Sequence, residues 1–166
     1  MGARAMKRGD NCLSDVENMN LKTPQSLKIE HEELHAELEK AKLAGGATAE
    51  AAREVERALH PHFMKEEEYA LPPLALLPLL AAGRASPEMS EAVEMAGRLR
   101  NELGQMLQEH KQIALATEAL TEAAKQEGKE EFVHFAEKLM LHARTEEEVL
   151  YPASILVGEH LKLMLK

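Results

Sequence analysis

The feature that most constrains this chain is an internal repeat. The segment His62-Phe-Met-Lys-Glu-Glu-Glu-Tyr-Ala-Leu-Pro72 aligns without a gap on His142-Ala-Arg-Thr-Glu-Glu-Glu-Val-Leu-Tyr-Pro152, at a constant offset of 80 residues. Glu30-His31 recurs as Glu109-His110, at an offset of 79. Self-similarity at a fixed period means two units of one design. Each unit carries a His on its first segment and H-x-x-x-E on its second.

Both units read as helical. Thr23 predicts an N-cap with Pro24 at the first helical position, and this helix ends before Gly45-Gly46. A second helix runs from about Thr48 to about Tyr69, stopped by Pro72 and Pro73. After an apolar link broken by proline, a third opens at Ser86-Pro87-Glu88 and continues to about Gln126. Gly128 marks a turn, and a fourth helix covers about Lys129 to Leu150, ending at Pro152. The pattern predicts an all-α, up-down-up-down four-helix bundle over 23–152, an N-terminal arm over 1–22 and a short C-terminal helix within 153–166. Each long helix carries an apolar stripe at spacings of three and four. Leu27, Leu34 and Leu38 mark the first stripe, Val55, Leu59 and Tyr69 the second, Leu99, Met106 and Ile113 the third, and Phe135, Leu139 and Val149 the fourth. His31, His62, Glu66, His110, His142 and Glu146 interrupt these stripes at core positions.

Register joins the six. His31 and His62 are equidistant from the Gly45-Gly46-Ala47 turn, and His110 and His142 from a point just before Gly128. Each lies about 16 residues from its turn, or about 24 Å along a helix axis, so all four share one layer. In H-x-x-x-E the two side chains stack on one helix face. A carboxylate on a core stripe is very costly unless it is paired or binds a metal. Cys12 is the only cysteine, so thiolate clusters and an intrachain disulfide are excluded. Imidazole and carboxylate together suit iron, manganese or zinc. Six ligands are too many for one tetrahedral zinc but fit two octahedral ions bridged by the carboxylates. The expected cofactor is therefore a pair of iron ions.

Charge and hydropathy narrow the partners. With 20 Lys and Arg against 29 Asp and Glu, the net charge is −9, and no basic stripe offers itself to nucleic acid. The longest apolar run, Leu71 to Ala82, holds three prolines and falls short of the roughly 20 residues a membrane helix needs. The first residues lack the apolar core of a signal peptide, so the expected location is cytoplasmic.

Glu30-His31, His62 through Glu66-Glu67 with Leu71-Pro72, Glu109-His110, and His142 through Glu146-Glu147 with Tyr151-Pro152 occur in order over roughly 25–152. In this the chain resembles the hemerythrin-like (HHE cation-binding) family. The resemblance implies a di-iron centre with terminal histidines and bridging carboxylates. It implies binding or sensing of oxygen, nitric oxide or peroxide; iron sensing and iron–sulfur repair also occur in the family. The oxygen-carrying members have a second histidine four residues after the first on their third helix, where this chain has Ala114. Their last carboxylate is an Asp five residues after its His, whereas Glu146 follows His142 by four. His35, four residues after His31, is the expected substitute as a seventh ligand.

Other readings stay open. A di-iron oxidase or an iron-handling protein of the ferritin-like type is signalled by E-x-x-H at Glu32–His35 and Glu131–His134, but those histidines miss a common level. A metal-free helical interaction protein is the third. A sensor needs a partner protein or a homodimer to pass its signal on. Glu67, Glu68, Glu147 and Glu148 read as solvated helix-end charges, with Glu67 and Glu147 alone offering support to a ligand. Tyr69 and Tyr151 read as core packing, and His60, His134 and His160 as surface residues. The segment 71–82 reads as a cap over the end of the bundle, with gating by Leu76 and Leu77 as the alternative.

Overall fold

The computed structural model describes residues 21–166. Cys12 and all but the last two residues of the predicted arm lie outside the described residues. Every element in the described part is helical. The α-helices, in chain order, are α1 (Gln25–Leu43), α2 (Gly46–Lys65), the single-turn α3 (Leu77–Ala81), α4 (Ser90–Gln126), α5 (Glu130–Thr145) and α6 (Tyr151–Met164), with short 3-10 turns at Pro72–Leu76 and Pro87–Met89. Four of them are the main helices: α1 packs on α2 and α5, and α4 packs on the same two. At 37 residues α4 is long enough to support α6 as well. There Gly158 lets the backbones close, since a Cβ at this position would lie 2.4 Å from that of Ala96.

Thr23 does not cap α1. The carbonyl of Pro24 accepts the first helical bonds, from Leu27 and Lys28, while the Thr23 hydroxyl turns to the carbonyl of Glu67. The start of α2 is held instead by the far turn: Glu127 accepts from the amides of Ala47 and Thr48 and from the Thr48 hydroxyl. Lys129 ties the same corner by donating to the carbonyls of Ala44 and Gly45. Gly46 has a left-handed φ of 66°, and a Cβ on it would meet a Glu127 oxygen at 2.1 Å.

The predicted stop at Pro152 is not where the chain ends its helix. α2 and α5 each pass into one π turn, Glu66–Ala70 and Glu146–Leu150, at equivalent places in the repeat. The amide of Leu71 reaches back five residues to Glu66, and that of Tyr151 to Glu146. In the second unit the chain continues directly into α6, with Pro152 in its first turn, where a missing N–H does no harm. The inserted residue also rotates the stripe. Val149, expected in the core, is 55 % exposed, while Tyr151 is buried completely.

A layer of polar residues divides the interior. Toward the α1–α2 and α4–α5 turns lies an apolar cluster of Leu34, Leu38, Leu59, Ile113, Phe135 and Leu139. Toward the other end lie Leu99 and Met106 with Tyr69 and Tyr151, and beyond them Leu76, Met89, Val157 and Leu161. The link after Pro72 packs on α4 and α6, with Leu76 buried and Leu77 on the surface.

Candidate metal centre

The dividing layer consists of six ionisable side chains from four helices and two π turns. His31 comes from α1, His62 from α2, His110 from α4 and His142 from α5, with Glu66 and Glu146 opening the π turns. All six are at most 4 % exposed. They form two overlapping groups: His31, Glu66, His142 and Glu146, and His62, Glu66, His110 and Glu146. Within each group, one ligand atom per residue lies within 4.8 Å of every other. Each carboxylate serves both groups with different oxygens. Glu66 presents Oε2 to His31 at 3.7 Å and Oε1 to His62 at 3.2 Å. Glu146 presents Oε1 to His142 at 3.0 Å and Oε2 to His110 at 3.4 Å.

The Nε2 atoms point inward because the Nδ1 atoms are held from outside. Glu67 takes His31 at 3.1 Å, Glu109 takes His62 at 2.9 Å, Glu147 takes His110 at 2.8 Å and Glu30 takes His142 at 3.2 Å. A carboxylate on the far ring nitrogen fixes the tautomer and aims the other nitrogen at a cation. The pairing is crossed: Glu30 and Glu109 each precede one histidine in sequence but hold another on a neighbouring helix. Glu67 and Glu147 are thus supporting residues rather than free surface charges. Their signal was the repeat itself, since all four pairs obey its offset.

Tyr151 also corrects the packing expectation. Its hydroxyl donates to Glu66 Oε1 and lies 3.2 Å from Nε2 of both His62 and His110. Tyr69 is buried in the apolar layer and gives its hydroxyl to Glu102 at 2.8 Å, beneath the Arg98 guanidinium. His35 is not brought to either group. It lies half-buried, edge-on to Phe63 at 5.2 Å and near the exposed His60. His134 is on the surface, as is His160.

Burial shapes the titration of the cluster. Burial and the charge of Glu146 push the Glu66 carboxyl up. Burial also opposes charge on Glu146, but the surrounding His110, His142 and His31 imidazoles outweigh it and hold that carboxyl well below its usual range. Burial works against a proton on His142, yet the Glu146 carboxylate beside it more than offsets this, raising this imidazole to about 9.

Four buried atoms in this layer lie at ion-pair distance from one another but in hydrogen-bond geometry with no partner: His31 Nε2, Glu66 Oε2, His142 Nε2 and Glu146 Oε1. Together they are one atom from each member of the first group. Orphaned buried polar atoms are rare, and four converging from two imidazoles and two carboxylates fit a bound cation. The fold and the site define a helical protein with a buried imidazole–carboxylate site for metal. Residues 23–154 match the family described as the hemerythrin HHE cation binding domain, and the chain belongs to that family. No curated protein and no solved structure matches it.

Proposed function

We propose that this chain is a non-haem di-iron protein that binds or senses a small ligand: oxygen, nitric oxide or peroxide. The observation that carries this reading is the convergence of the four orphaned atoms, with both carboxylates turned to a second group beside them. His31 and His142 would hold one ion, His62 and His110 the other, and Glu66 and Glu146 would bridge. Imidazole and carboxylate donors without thiolate favour iron over structural zinc. A pair of such ions supplies reversible electron transfer and open positions for a diatomic or peroxide ligand. The protein's part is to orient the imidazoles through the four outer carboxylates and to exclude bulk water with the apolar layers above and below. The short connections α1–α2 and α4–α5 support helices alternating up and down over 23–152. His35 stays out of this ligand set.

Metal analysis after anaerobic reconstitution with ferrous iron tests the reading. About two irons per chain is expected, falling in a Glu66→Ala, Glu146→Ala double variant. No bound iron in the folded wild-type chain would overturn it.

A further inference from the structure

The two halves of the metal layer are related by the repeat, but they are not equal. Beside His110, between α4 and α5, lies a groove of about 220 Å³ whose lining includes His110, Lys111, Ala114, Met140, Ala143 and Arg144. Applying the offsets of 79 and 80 places His31, Glu32, His35, His60, Phe63 and Met64 at the equivalent positions. There the space is filled. The Phe63 ring lies flat on His31, with centroids 3.9 Å apart, and meets His35 and His142 edge-on. Where one half has this phenyl ring, the other has the methyl of Ala143. Charge differs in the same sense: Glu32 and Met64 flank the filled side, Lys111 and Arg144 the open one. Among the described residues these two cations are in no ion pair.

From these differences we propose that the groove over Ala143 is the passage by which a small anion reaches the His62–His110 half of the site. The inference rests on the metal reading above and adds the side, the route and the charge of the ligand. Glu147, held by His110, and Glu148 also line the groove, so its two cations face two carboxylates, whereas the matching positions on the filled side carry Glu32, Glu67 and Glu68 with no Lys or Arg. Of the two halves this one is therefore the more favourable to an anion, and the preference conferred by Lys111 and Arg144 is salt-dependent.

Azide is the probe, mixed by stopped flow with the iron-loaded protein, with iron content measured for every variant. Ala143→Phe should slow azide association at least 10-fold at unchanged iron content, and Ala143→Leu should do so less. The surface variant Lys111→Glu, Arg144→Glu should slow it several-fold and abolish its fall with salt. Unchanged rates in fully loaded variants would overturn the passage and leave the metal reading standing. If the wild-type chain takes no iron, the metal reading fails, and the metal-free chain decides the groove. In that form diethyl pyrocarbonate should modify His110 faster than His31, an order lost in the Ala143 variants; equal rates in wild type would overturn the proposal.

Discussion

At the scale of single residues, His142 keeps a proton up to about pH 9 in the metal-free chain, where an ordinary histidine loses it near 6.5. A cation needs the neutral imidazole, so loading at pH 7 must expel that proton, and affinity weakens as pH falls. A pH-indicator dye should report proton release on adding cobalt(II) at pH 7, vanishing above pH 10. The sign for stability is opposite. With its folded value raised, His142 stabilises the metal-free fold below pH 6.5, and that contribution disappears as pH rises through about 9. The outer carboxylates act at one remove. Glu109 is anchored by Lys65 and Gln105 and aims His62. Glu109→Gln should therefore weaken metal binding about 10- to 100-fold without loss of fold, measured by competition with a chelator. Tyr151→Phe removes a donor from buried Glu66, and the metal-free chain should lose about 1–3 kcal/mol in urea unfolding.

At the scale of elements, the two π turns separate what was legible in the sequence from what was not. The four long helices follow from stripes of period 3.6 and from proline and glycine at their ends. The six site residues follow from the break in those stripes and the shared distance to the turns. Tyr151 does not follow, because α-helical spacing from Glu146 points to residues 149 and 150, and only a five-residue step reaches 151. The crossed carboxylate pairs were hidden because Glu30 and Glu109 are read with their sequence neighbours, while their partners stand on adjacent helices. The corner at Gly46 was visible as a turn, but not its dependence on Glu127. Gly46→Ala places a methyl group against that carboxylate at a left-handed backbone position, at a cost of about 1–2 kcal/mol. The urea midpoint should fall with the slope unchanged.

At the scale of the whole molecule, the metal layer is a stability defect that a cation repairs. Buried polar atoms without partners destabilise the metal-free fold. A cation that binds only the folded chain, at 100 times its dissociation constant, adds about 2.7 kcal/mol. For a domain of this size that raises the melting temperature by about 5–10 °C, checked by calorimetry of chelated and reloaded protein. The corner built by Glu127 and Lys129 has its own consequence. The α1–α2 turn is left unfinished until the α4–α5 turn arrives, since its capping groups, Glu127 and Lys129, sit about 80 residues away. The α1–α2 pair cannot then stay closed as a separate unit once the α4–α5 turn has opened. Hydrogen exchange should show α1–α2 and α4–α5 opening together, as one cooperative block rather than two.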